Sequence, residues 1–264
     1  MRRDKWDQLL EKYKSQIDTS NVSEEDVDKV FDQLKLKLIE ELDKPTHIAV
    51  IGKTGVGKTS TINALFGTDW KISHVRAATK EEQVFIYEGE RGKLKISDLP
   101  GFAEDIDTED LYREIYTRVL NECDVALLIL KADARDMLEV QRFLRDVVSK
   151  SLNNLAQRIV IGLNQVDLVQ PGKWLDGPNL PSREQEKSIE TIINERVKSI
   201  RKVCAVKPSQ VIAYSAIRRY RLIHLFEALI MRTVGEAWVL DAKKNIANYL
   251  ELVDPIYLPK KLRS

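Results

Sequence analysis

The sequence predicts an α/β fold: a mostly parallel six-stranded sheet with one antiparallel strand, helices on both faces, and further helices at either end. Three observations carry this. Short apolar runs rich in β-branched residues alternate with segments of helical period through the middle of the chain. Two of the runs are separated only by EGERG, a hairpin signal. The first run ends in glycine and leads into a Gly-rich loop that opens a helix.

The elements follow in order. Residues 4–18 place Trp6, Leu9, Leu10, Tyr13 and Ile17 at helical spacing. Ser23, with Asp26 three residues on, caps a second helix whose stripe is Val27, Val30, Phe31, Leu34, Leu38 and Leu42. Pro45 closes this pair, so 1–44 reads as a helical hairpin. The strands are HIAVIG (47–52), QVFIYE (83–88), KLKISDL (93–99), DVALLIL (124–130), RIVIGL (158–163) and VIAYSA (211–216). DVALLIL and RIVIGL are apolar and rich in β-branched residues, as buried parallel strands should be, and VIAYSA supplies one more. Helical patterns fall at 108–122, 135–151, 183–203 and 221–234, and PGKWLDGPNLPS (171–182) reads as an inserted loop. The main domain spans 45–234, and 235–264 supplies a C-terminal helix and a basic tail, PKKLRS.

Composition narrows the function classes. The chain has 264 residues, 43% of them hydrophobic, enough for a sizeable core. Its 42 Lys and Arg nearly balance 41 Asp and Glu, so overall charge points to neither nucleic acid nor an acidic partner. Cys123 and Cys204 lie far apart and read as inert thiols in a reducing cytoplasm. No apolar run approaches a membrane span, and the charges in MRRDKWDQLL rule out a signal peptide. A cytoplasmic protein is expected.

GKTGVGKTS (52–60) fits G-x-x-x-x-G-K-[ST] and has the required strand before it and helix after it. Its glycines let successive N–H groups along Lys53, Thr54, Gly55, Val56, Gly57, Lys58, Thr59 and Ser60 converge on phosphate oxygens, at the positive end of a helix. Lys58 can reach the β- and γ-phosphates, and the Thr59 hydroxyl can ligate Mg²⁺. This is a P-loop NTPase pattern, and it predicts binding of a nucleoside triphosphate.

The base is read elsewhere. NQVD (164–167) follows a strand directly, at the end where open sheets bind ligands. Asp167 can accept from both N1–H and the 2-amino group of guanine, donors that adenine lacks. Asn164 can hold neighbouring loops together and meet the base at N7. Ser215 and Ala216 follow the last strand, where the Ala216 N–H can donate to guanine O6.

The ordered set GKTGVGKTS, Thr79, DLPG, NQVD and SA resembles the motifs of translation-factor-class GTPases, with the Era-like group nearest, over about residues 46 to 234. The resemblance implies that Asp98 contacts Mg²⁺ through water and that the Gly101 N–H bonds the γ-phosphate. It implies that Thr79, with Thr68 as a rival, completes the metal shell from a switch segment. The family usually has lysine where this chain has Gln165, its stem over the base and its ammonium bracing the P-loop. Glutamine keeps the stem but loses the charge, so guanine preference with somewhat weaker binding is expected.

Phe102 stands where Ras-like members carry the glutamine that orients the attacking water. It can neither donate nor accept a hydrogen bond. It either packs beneath the switch or marks the subgroup with an apolar residue at the catalytic position, and these readings are compatible. Gly55 stands where potassium-stimulated relatives have asparagine, so water placement by that ion is not expected. The expectation is slow GTP hydrolysis, raised by a homodimer or an activating protein partner, with cis groups in 132–136 or 103–107 as candidates. The competing readings are a nucleotide-binding module with negligible turnover and a dynamin-like self-assembling GTPase. NQVD and SA together disfavour an ATP-using enzyme. The flanking stripes are short with mixed charge, and no basic domain follows the core, so neither a membrane nor RNA is signalled strongly.

Overall fold

Thr46–Ile51 is buried at every position and forms β1, in the middle of the sheet. Ile48 and Val50 join one core while Ala49 and Ile51 join the other. That division follows from the two-residue period of a strand covered on both faces. The protein is seen in a computed structural model that describes residues 12, 14, 23–66, 71–75, 83–89, 92–101, 109–134, 137–151 and 154–232.

The other strands are β2 (Lys71–Val75), β3 (Gln83–Gly89), β4 (Gly92–Asp98), β5 (Val125–Lys131), β6 (Ile159–Asn164), β7 (Trp174–Leu175), β8 (Leu180–Pro181) and β9 (Val211–Ala213). Seven of them make one sheet in the order β2-β3-β4-β1-β5-β6-β9. Strand β3 runs antiparallel to both neighbours, and every other pairing is parallel. The expected architecture is present, with β2 as an edge strand beyond the six expected. The segment 171–182, read as a loop, holds the small antiparallel hairpin β7–β8. Trp174 Nε1 donates to Asn179 Oδ1 across it at 3.0 Å.

Strand β1 lies between β4 and β5, so the chain winds in opposite directions on its two sides. Beyond the carboxyl end of such a strand the connecting loops part and leave a crevice. On one face, helices α2 (Lys58–Phe66) and α7 (Leu222–Ile230) pack over Ile48, Val50, Leu127 and Val160. On the other, α3 (Glu109–Glu122), α4 (Met137–Phe143), α5 (Leu155–Arg158) and α6 (Arg183–Ile200) cover Ala49, Leu128 and Ile161. Helix α4 runs on into a π turn, Leu144–Val148, closed by Ser149 N–H to the Leu144 carbonyl at 2.8 Å. Truncating a fully buried side chain such as Leu128 or Ile161 to alanine costs about 2–5 kcal/mol.

The chain divides into two compact units, Met1–Lys44 and Pro45–Ser264. In the first, helix α1 spans Glu24–Asp43, and its cap is the expected one: Ser23 Oγ accepts from the Asp26 N–H at 3.2 Å. Val27 on the stripe is buried, whereas Val30 and Leu34 are exposed. The helices expected over 4–18 and 235–252 lie outside the described residues, save positions 12 and 14. Among the described residues no helix is long and apolar enough to cross a membrane.

Candidate functional site

The loop after β1 is shaped by what presses on it. At Gly52 a Cβ would sit 2.6 Å from the Ile129 carbonyl oxygen of β5, so only glycine fits there. Gly57 has φ +92°, and its Cβ would sit 2.4 Å from the Asn164 amide nitrogen. Both demands are met by glycine alone. Lys58 arches back over the loop, its Nζ donating to the Gly52 carbonyl at 2.9 Å. The backbone of 52–60 thus wraps around the start of α2, where unpaired N–H groups and the helix dipole favour an anion.

Asp98 ends β4, in register with Val50 of β1. Burial raises its carboxyl above the usual carboxylate range, and the nearby Lys58 charge partly offsets that. Its Oδ1 is buried without a hydrogen-bond partner among the described residues. A buried acceptor left unsatisfied is costly. Beside a phosphate loop carrying Thr59, this oxygen suits the water shell of a divalent cation, so the residues present fit Mg²⁺. Gly101 is buried and follows Asp98 closely. Thr79, Thr68 and Phe102 lie outside the described residues.

The residues expected to read the base converge from the ends of β6 and β9. Asn164 is 2% exposed; its Nδ2 donates to the Val56 carbonyl at 2.9 Å, and its Oδ1 accepts from the Ala216 N–H at 3.0 Å. One side chain therefore clasps the phosphate loop and the segment after β9. The Ala216 N–H, expected to face guanine O6, is already engaged by Asn164, so it can reach a base only by sharing that hydrogen. Ser215 is buried and its Oγ accepts from the Arg218 N–H at 3.1 Å. Gln165 has φ +65°, and its Nε2 donates to the Gly55 carbonyl at 3.2 Å. The half-buried Asp167 sits in the turn Val166–Leu168, and its carboxylate has no hydrogen-bond partner among the described residues.

Several contributors carry no motif. Gln185, 1% exposed in the first turn of α6, donates from Nε2 to the Asp167 and Val169 carbonyls, each at 3.0 Å. It fixes the turn that presents Asp167. Glu139 of α4 forms an ion pair with Lys53 of the phosphate loop. Tyr214 and Thr61 bond to each other inside the core at 2.7 Å. A buried glutamine, a helix-start glutamate and a tyrosine just past a strand are ordinary choices singly, and only the fold brings them to the site. The one available signal was the tyrosine directly before Ser215.

Residues 47–165 match the profile of a family described as 50S ribosome-binding GTPase. Uncharacterized protein YfjP of Escherichia coli K12 is 29% identical over 178 residues, 64% of this chain and 60% of that protein. GTPase Era of Aquifex aeolicus is 29% identical over 139 residues, 49% of this chain and 44% of that one. A solved structure of Era with MgGDPNP and nucleotides 1506–1542 of 16S ribosomal RNA superposes with a TM-score of 0.53 at 20% identity. That superposition covers 73% of this chain and 58% of the other, and it bears on the fold. The chain spans about 60% of the length of YfjP and of its relative YkfA.

Proposed function

We propose that the chain is a P-loop GTPase like the Era and Der relatives it resembles, hydrolysing GTP to GDP and phosphate as a nucleotide-dependent switch. The observation that carries this reading is the Asp167 carboxylate. Gln185 bonds the Asp167 backbone carbonyl, the Asn164 clasp stands three residues earlier, and the carboxylate itself has no hydrogen-bond partner among the described residues. A carboxylate so presented discriminates for guanine, because adenine leaves it unpaired.

In this reading the residues act as follows. The N–H groups of 53–60 hold the β- and γ-phosphate oxygens, and Lys58 leaves the Gly52 carbonyl to stabilise charge developing between them. A water attacks the γ-phosphorus in line. The bond from that phosphorus to the β–γ bridging oxygen breaks, GDP leaves with the electron pair, and the water's proton ends on the phosphate. Mg²⁺ bound with the nucleotide offsets the phosphate charge; Thr59 and Thr79 would hold it directly and Asp98 through water. Gly101 would bond the γ-phosphate, so the segments about 67–80 and 98–108 order while it is present and relax after hydrolysis. Phe102 offers no hydrogen bond, so turnover is slow until a second copy or an activating protein supplies the water-placing group.

Calorimetry with GTP, GDP and ATP tests the base reading, and phosphate release under single and multiple turnover tests hydrolysis. GTP and GDP should bind with ATP at least about 100-fold weaker, and Asp167→Ala should abolish the preference. Equal affinity for ATP overturns the guanine assignment. Wild-type phosphate release no faster than that of Lys58→Ala overturns the hydrolase reading and leaves a binding module.

A further inference from the structure

Tyr214 is wholly buried and belongs to an apolar cluster with Ile48, Val50, Leu127 and Val160. Its hydroxyl lies 2.7 Å from Thr61 Oγ1, and Thr61 Oγ1 lies 2.8 Å from the Gly57 carbonyl oxygen. The carbonyl can only accept, so Thr61 spends its single proton there and Tyr214 must donate to Thr61. The relay therefore has one direction: Tyr214 O–H to Thr61 O–H to the Gly57 carbonyl. The same carbonyl accepts the Thr61 N–H at 2.9 Å, the first bond of α2.

The other end of Tyr214 is tied to the base side. Its N–H donates to the Leu163 carbonyl at 2.9 Å, its carbonyl accepts from Val166 at 3.4 Å, and it directly precedes Ser215 and Ala216. The ring lies against Gly162, where a Cβ would come within 2.8 Å of Cε1. Burial pushes the phenol up, so it stays protonated and able to donate. An apolar pair would fill this core without the cost of burying two hydroxyls. A polar pair here makes sense if the orientation of the Gly57 peptide matters.

We propose that Tyr214 and Thr61 are positioning residues for the phosphate loop, fixing the Gly57 peptide from the strand that carries the base-reading segment. The inference rests on the proposed GTPase reading. It deepens that reading by making the geometry that meets the β-phosphate depend on two side chains that touch no nucleotide.

The test uses the full chain and two ligands, GDP and GMP, which differ by the β-phosphate. Tyr214→Phe and Thr61→Val should each weaken GDP about five-fold or more, through faster release, while GMP affinity stays within about two-fold of wild type. Thr61→Ser keeps the hydroxyl and should restore GDP binding. The double variant Tyr214→Phe/Thr61→Val should be no worse than the poorer single, because both break one relay. Unchanged GDP release in the single variants, or equal weakening of GDP and GMP, overturns the relay. Where Tyr214→Phe does not fold, the Thr61→Val and Thr61→Ser pair decides alone. A wild-type chain that binds no guanine nucleotide overturns the underlying function instead.

Discussion

Gln165 Nε2 donates to the Gly55 carbonyl across 3.2 Å, so the residue in the usual lysine position still braces the phosphate loop. What it lacks is charge. Gln165→Lys should tighten GDP binding about two- to five-fold at low salt, a gain that shrinks as salt screens it. Gln165→Ala should weaken it by losing both the brace and the stem. Titrations of the three chains at two ionic strengths check this, and an alanine variant equal to wild type would show that the brace does nothing for binding.

Asp98 gives a case where stability and function oppose. Its carboxylate is buried with one oxygen unpartnered among the described residues, and the desolvation outweighs the attraction of Lys58. Asp98→Asn removes that charge. The nucleotide-free variant should melt at a higher temperature at neutral pH, by up to about 1 kcal/mol of stability. Its GDP affinity should no longer respond to Mg²⁺. Scanning calorimetry and titration with and without the metal measure the two effects separately.

The phosphate loop, the NQVD turn and the sheet were legible because each imposes residue types. Only glycine fits Gly52 against Ile129, and buried parallel strands must be apolar on both faces. The base clasp was partly legible: Asn164 could be named as a loop holder, but not that it would take the Ala216 N–H. Gln185 and Glu139 were not legible, since a polar residue near a helix start is normally solvated. They act through fold-made proximity 18 and 86 residues from their partners. KISHV, the edge strand β2, has no continuous apolar run to announce it.

His47 makes the fold sensitive to mild acid. Its Nε2 shares a hydrogen bond with Ser97 Oγ at 2.9 Å, and its backbone N–H donates to the Asp124 carboxylate at 2.7 Å. Burial, then the Lys95 charge, push the imidazole from 6.5 down to about 3; the Glu122 carbonyl opposes, and Arg118 adds to the lowering. The native state thus resists a proton that the unfolded chain accepts. This contribution to stability is whole above about pH 6.5 and is lost progressively as pH falls toward about 3. Asp98 and Asp124 are raised by burial and act in the opposite sense. Comparison with His47→Gln separates the terms. Between neutrality and about pH 5, wild type should lose about 2 kcal/mol more than the variant in denaturant unfolding. Parallel losses would show that the imidazole is protonated in the folded protein.

Gly162 is the pivot of the buried relay, and replacing it tests whether the ring can retreat. A methyl there would lie 2.8 Å from Tyr214 Cε1 and 3.5 Å from Leu127 Cδ1. The ring is pinned at both ends, by the backbone bond to Leu163 and by the hydroxyl bond to Thr61. It can give way only by stretching one of them. Gly162→Ala should therefore destabilise by about 1–3 kcal/mol, through overpacking, and also speed GDP release. The two effects come apart in the Tyr214→Phe background. There the hydroxyl bond is already absent, so Gly162→Ala should still lower the melting temperature but add nothing to the release rate. If it speeds release equally in both backgrounds, the strain reaches the phosphate loop by a route other than Thr61.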